Sequence, residues 1–184
     1  MKMRESLAKH LVDSTAVATV SNTVMAPLET LVCGMPNEVS ANARMLGTAL
    51  TFAGMGSVYA KGRDLSKKVF KITEKTSEKV KAIHDTIYSV GYLMAITPAF
   101  YYASGSRDLK EIAAGTIATA AVGLLAGSPT GYAIDTYRDL TGIQESERLP
   151  DCVKKQDSKV KKGLAALIAA GSVAAITALY SLNQ

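Results

Sequence analysis

Four carboxylates lie inside or at the edge of long stretches that otherwise carry no charge: Asp13, Glu29, Asp85 and Asp135. Glu29 is the most informative. An ionisable side chain within an apolar segment is costly and by default marks a functional site. It stands two residues after Pro27, whose ring removes a backbone N–H and frees the carbonyl of Thr23 to line a polar cavity. The chemistry such a group offers is proton coupling, with the carboxylate protonated and released as the site alternates. The static alternative is a hydrogen-bonded carboxylate near lipid headgroups. Asp135 precedes Arg138 by three residues, which places them on one helical face as a structural ion pair, with a coupling role second. Asp13 and Asp85 open two of the apolar stretches and complete the candidate path with Asn22. Thr19, Ser21, Thr86, Ser89 and Thr97 offer further hydrogen bonds, either to a small zwitterion or back to the preceding helical turn.

Other chemistry has little to stand on. The chain has no phosphate-binding glycine loop, nucleophile elbow or HExxH pair, and no dinucleotide or haem motif, so neither an enzyme nor a bound cofactor is expected. Cys33 and Cys152 lack a second ligand at metal spacing, and no metal site is expected. His10 and His84 both fall at ends of apolar stretches, where anchoring or capping is the first reading. The lysine-rich segment 66–82 has only Phe70 among its basic residues and no nucleic-acid motif. Val69, Ile72, Val80 and Ile83 fall near one face of it, so it reads as an amphipathic helix on the inner leaflet or as a solvated helical linker.

The elements that position these residues are set by the charge distribution. A hydrophobic share of 48% does not separate soluble from membrane chains, but charges are absent from 45–60, 86–106, 112–134 and 163–184. These runs are 16, 21, 23 and 22 residues long, against the roughly 20 that cross a bilayer as helix. Residues 11–33 are interrupted only by Asp13 and Glu29. The runs are rich in Ala, Gly, Ser and Thr, so a soluble Ala-rich bundle is the competing fold. The run 163–184 argues against it, having no charge from which to build a polar face. No cleavage site follows the basic start, so the first stretch is read as retained.

Of 21 basic residues, 18 fall before the first stretch, between the second and third, or between the fourth and fifth. Only Arg44, Arg107 and Lys110 fall elsewhere. By the positive-inside rule this alternation places the amino terminus in the cytoplasm and, with five spans, the carboxyl terminus outside. On that topology the two cysteines stand on opposite sides. The net charge of +5 then largely reflects cytoplasmic loops that attract anionic lipid.

The chain also repeats itself. Asp13-Ser-Thr and Asp85-Thr are 72 residues apart, Pro27 and Pro98 are 71 apart, and Gly34 and Gly105 are 71 apart. Gly56 through Arg63-Asp64-Leu65 matches Gly131 through Arg138-Asp139-Leu140 at an offset of 75. The expected fold is therefore all-α: a polytopic transmembrane bundle of two duplicated hairpins, 11–65 and 83–140, with a basic cytoplasmic linker 141–162 and a fifth span 163–184. An even number of spans per repeat gives parallel copies about an axis along the membrane normal. Gly127 and Gly131, extended upstream by Gly123, form a small-residue face for close helix packing, within the chain or with another copy.

Taken together these residues resemble the bacterial L-alanine exporter (AlaE) family. The likeness is carried by Asp13-Ser-Thr-Ala16, by Glu29 followed by Gly34-Met35, by Arg63-Asp64-Leu65, and above all by Gly127-x-x-x-Gly131-Tyr132-x-x-Asp135-x-x-Arg138. It covers about 8–140. The resemblance implies an inner-membrane protein of four spans that exports L-alanine at the expense of the proton gradient and works as an oligomer, with Gly127 and Gly131 in self-association. Two departures stand out: the added residues 141–184 with a fifth span, and Pro129 between the glycines. The expected partners are a small neutral amino acid, a proton, the lipid bilayer and further copies of the chain, with no nucleic acid. The alternative function is a non-transporting membrane scaffold that binds a partner or anionic lipid through its basic loops.

Overall fold

The structure, a computed structural model, describes residues 2–103 and 107–182, and every regular element among them is helical. Helix α1 (Lys2–Pro27) passes into a wider π-type turn at Leu28–Val32. A short turn follows, with Gly34 at φ +65°, a left-handed backbone that favours glycine. Helix α2 (Asn37–Leu50) continues through a second π-type turn, Thr51–Met55, into α3 (Gly56–Val69). Then come α4 (Glu78–Ala103), α5 (Leu109–Thr141), the single turn α6 (Asp151–Lys154) and α7 (Ser158–Leu182). The turn expected at Gly105 lies outside the described residues.

The chain divides into two compact units, Met1–Gly62 with Tyr132–Gln184, and Arg63–Gly131. In the first, α1 lies against α2, the second π-type turn and α7. The line from α2 to α3 bends at Gly54, whose φ of 137° breaks the helical ladder. Side chains of α1 take up carbonyls beside the bend: Ser14 Oγ donates to Thr51 O at 3.2 Å, and His10 Nε2 donates to Phe52 O at 2.9 Å. His10 Nδ1 lies 2.6 Å from Ser57 Oγ. His10 thus staples a kinked helix. Gly56 lets the two backbones meet, since a Cβ there would come within 2.8 Å of Ser14 Cα.

In the second unit α4 and α5 pack through the glycine face. A Cβ on Gly123 would lie 3.2 Å from Val90 Cα, and one on Gly127 would lie 2.7 Å from Thr86 Cα. A Cβ on Gly131 would collide with the Asp85 carboxylate. The segment 66–82 is not the single amphipathic helix the sequence suggested. Helix α3 ends at Val69, Lys71 turns at φ 55°, and α4 begins at Glu78. Thr73 N–H donates to Thr76 Oγ1 at 2.9 Å within this turn, a local bond that competes with continuing the helix.

The distribution of side chains is inverted relative to a water-soluble bundle. Arg63, Arg138, Lys81, Asp13 and Asp85 are among the largest fully buried side chains, while Ile117, Leu124, Leu125 and Leu167 are exposed. Ile112–Thr141 and Ser158–Leu182 are long and apolar enough to cross a membrane, yet their most apolar stretches are only 22% and 6% buried. A soluble core helix of that composition would bury it. Helices α1 and α4 reach 26 residues each, about 39 Å at 1.5 Å per residue, but are less uniformly apolar.

The linker after α5 is pinned rather than loose. Asp139 accepts from Lys161 Nζ at 2.9 Å and from Ser146 N–H at 2.8 Å. Arg148 lies 3.2 Å from Asp135 and sits over the Tyr132 ring. In this linker the Glu147 carboxylate, 2.6 Å from Lys154, raises that ammonium above its usual pKa.

Candidate functional site

Helix α1 delivers Glu29 into the π-type turn immediately after Pro27. Proline cannot donate to the ladder, and single π-type turns recur at functional sites. The widened turn leaves Glu29 buried, 7% exposed. Its Oε1 accepts from Arg44 Nη2 at 2.7 Å, and its Oε2 accepts from Ser40 Oγ at 2.7 Å. Both donors lie on α2, four residues apart on one face. Arg44 retains a buried Nε with no hydrogen-bond partner among the described residues.

Beside this pair lies an open cleft of about 440 Å³. Asn22, Arg44 and Thr48 supply its polar side, with Ala41, Met45 and Ile176 among the apolar residues. Asn22 Nδ2 donates to Thr48 Oγ1 at 2.8 Å. A mainly apolar recess with a few convergent polar groups is the form of a small-molecule site. An ion pair at its edge suits a zwitterion, whose ammonium and carboxylate match the two partners.

The other sequence-predicted carboxylates sit elsewhere, each against an arginine. Arg138 grips Asp13 through two parallel bonds, Nε to Oδ1 at 2.6 Å and Nη2 to Oδ2 at 2.9 Å, both residues 1% exposed. Arg63 grips Asp85 in the same way, at 2.7 and 2.9 Å, both fully buried. Bidentate pairs of this kind are the strong ones. His84 adds a contact to Asp85 Oδ1 at 3.3 Å and one to Ser66 Oγ at 3.0 Å. Asp135 meets Arg148 at 3.2 Å, so the Asp135 and Arg138 expected to pair each have a strong contact in another part of the chain. Of the predicted path residues Asn22 lines the cleft, and Glu29 adjoins it through Arg44.

The threonines mostly take the quieter role. Thr23, Thr48 and Thr116 each donate to the carbonyl four residues back, while Thr19 Oγ1 also lies 3.3 Å from Tyr137 Oη. The glycine face of α5 is filled by α4 of the same chain. A dimer through Gly127 and Gly131 would have to displace α4, because two backbones cannot occupy one small-residue groove. Both cysteines are free and exposed.

Arg44 and Arg63 were missed as site residues. Each carried a signal: Arg44 is the lone cation of its stretch, close in sequence to the glutamate that interrupts the apolar run 11–33. Arg63 holds the same place in its repeat as Arg138.

Buried ion pairs inside a helical bundle whose large aliphatic side chains face outward are the mark of a helical membrane protein. The chain belongs to the L-alanine exporter (AlaE) family, whose family model matches residues 2–144. That family places it among membrane exporters of a small amino acid. No curated protein and no solved structure matches the chain.

Proposed function

We propose that this chain exports L-alanine, or a similarly small neutral amino acid, across the inner membrane in exchange for protons. The Glu29–Arg44 pair beside the cleft supports this reading most. The site takes its substrate by exchange of partners. An incoming zwitterion enters the ion pair, its ammonium bonding the Glu29 carboxylate and its carboxylate bonding Arg44, including the buried Nε. Asn22, held in place by Thr48, supplies a neutral hydrogen bond nearby. A proton arriving at Glu29 from outside removes the negative partner of the ammonium, and the amino acid leaves outward. The proton is then released to the cytoplasm, and Glu29 returns to Arg44 or to a new substrate. Proton and amino acid compete for one carboxylate, which is what antiport requires.

In this scheme five spans cross the bilayer, with the amino terminus in the cytoplasm and the carboxyl terminus outside. Buried arginine pairs at Asp13 and Asp85 hold the hairpin ends together rather than carrying protons. Reconstitution into liposomes loaded with labelled alanine tests the reading, with a pH gradient imposed, acidic outside. Efflux above that of empty liposomes is expected, rising with the gradient. A rate equal to that of protein-free vesicles would sink the proposal.

A further inference from the structure

Helix α7 lies beyond the family match, which ends at residue 144, yet it is built into the candidate site. A plain anchor would meet the core through apolar contacts alone. Here the seam is polar. Ser172 Oγ lies 2.8 Å from Thr23 Oγ1 and donates to Thr19 O at 3.4 Å. Tyr180 Oη lies 2.9 Å from Ser40 Oγ. Ser40 commits its one hydrogen to Glu29, so the phenol must donate to Ser40. The chain Tyr180 to Ser40 to Glu29 therefore runs in one direction. Asn37 Nδ2 fixes the end of α7 by donating to Tyr180 O at 2.9 Å, and Lys161 ties its start to Asp139.

The same helix supplies Val173, Ile176, Thr177 and Tyr180 to the cleft, opposite Ala41 and Met45 of α2. Ile176 is half-buried there. We infer that α7 forms one wall of the amino-acid site, with Ile176 limiting the size of the substrate side chain and Tyr180 holding Ser40 against Glu29. This rests on the export reading above. A helix used only as an anchor would set the amount of folded protein and leave the choice of substrate alone. A wall sets the choice.

The test uses the full chain in liposomes loaded with equal amounts of labelled alanine and valine. Ile176→Ala is expected to raise the valine-to-alanine efflux ratio about tenfold, the low end of what a small change in an apolar pocket commands. An unchanged ratio, with alanine efflux either kept or reduced, overturns the inference and shows the cleft to be a lipid-filled seam. If wild-type protein exports neither amino acid, the export reading itself fails. A second measurement does not depend on transport. In a chain whose Cys33 and Cys152 are replaced by serine, Thr23→Cys with Ser172→Cys is expected to form a disulfide in native membranes under mild oxidation. Absence of that cross-link, with both thiols reactive to a small maleimide, would place α7 away from α1 and overturn the inference.

Discussion

The segments 11–65 and 83–140 agree at one end and differ at the other. Where they begin and finish they are chemical copies: Asp13 with Arg138 and Asp85 with Arg63, joined through the same atoms at nearly the same distances. Each aspartate is held by the arginine of the other hairpin. Beyond the prolines the charged and polar positions no longer match. At the repeat offsets Glu29 corresponds to Phe100, Arg44 to Thr119 and Thr48 to Gly123. The backbones diverge too, since the helix widens after Pro27 whereas α4 runs on past Pro98 to Ala103. Both ends keep their pairs, because changing either arginine takes the bidentate partner from a buried carboxylate. The outer halves carry no such constraint and are free to specialise, and the first holds an ion pair beside a cleft.

That contrast is broken most decisively at the shared ends. Arg63→Ala and Arg138→Ala should each cost roughly 3–5 kcal/mol, because each takes the bidentate arginine from a buried carboxylate. Unfolding in detergent measures both. If one is costly and the other silent, the two ends are not equivalent. Replacing both partners, as in Asp13→Leu with Arg138→Met, should recover most of the loss, since an apolar pair avoids the desolvation cost altogether.

The divergent half should respond in function instead. Glu29→Gln keeps a hydrogen-bond acceptor for Ser40 but carries no charge for Arg44 or for an ammonium. Gradient-driven alanine efflux should fall about ten- to a hundredfold, the equivalent of the ~1.5–3 kcal/mol in a hydrogen bond to a charged group. Thr119→Ala, at the position matching Arg44, should leave efflux unchanged. Loss of export in Thr119→Ala would show that both halves carry the path.

Between these lies the glycine face. Gly131→Ala puts a methyl group where the Asp85 carboxylate rests, and overpacking of this kind costs about 1–3 kcal/mol. The loss should appear in the unfolding of detergent-solubilised protein and be smaller at Gly123, whose neighbours stand farther off. An equal loss at both sites, or a loss seen only as dissociation of an oligomer on size exclusion, would return the face to self-association.

Much of the scaffold was legible in the sequence because lipid imposes a coarse rule, in which charge is excluded over a helix length. The helices through 86–103, 112–134 and 163–182 follow from it, while the turn at Gly34 and the close approach at Gly127 rest on glycine's missing side chain. The arginine partners of Asp13 and Asp85 were not, since a cross-hairpin contact 125 residues apart in one case leaves no local spacing to read. Asp135 and Arg138 show the converse, where a good local spacing suggested a pair and longer-range partners were also available. The π-type turns escaped for a similar reason. Pro27 signals a disturbed ladder, but whether it kinks, breaks or widens depends on what packs alongside. Glu29 was visible as an anomaly. Its surroundings were not, because Ser40 and Tyr180 become neighbours only once α2 and α7 are folded against α1.

The smallest expected effect separates a substrate group from a structural one. Asn22 gives one proton to Thr48, whose own hydroxyl proton goes to the carbonyl of Arg44. Thr48 is thereby fixed as an acceptor toward Asn22, while the Asn22 carbonyl oxygen remains available on the cleft side of α1. Asn22→Ala removes one hydrogen bond and should cost about 0.5–1.5 kcal/mol. Thr48→Val removes the same bond at nearly constant shape, together with the hydroxyl's bond to the Arg44 carbonyl, and should cost at least as much. If Asn22 also touches the amino acid, only Asn22→Ala raises the KM for alanine, by roughly three- to tenfold on that same energy scale. Should the two substitutions raise KM alike, the bond matters only for holding α1 against α2, and the substrate's polar contacts shrink to Arg44 and the Glu29 paired with it.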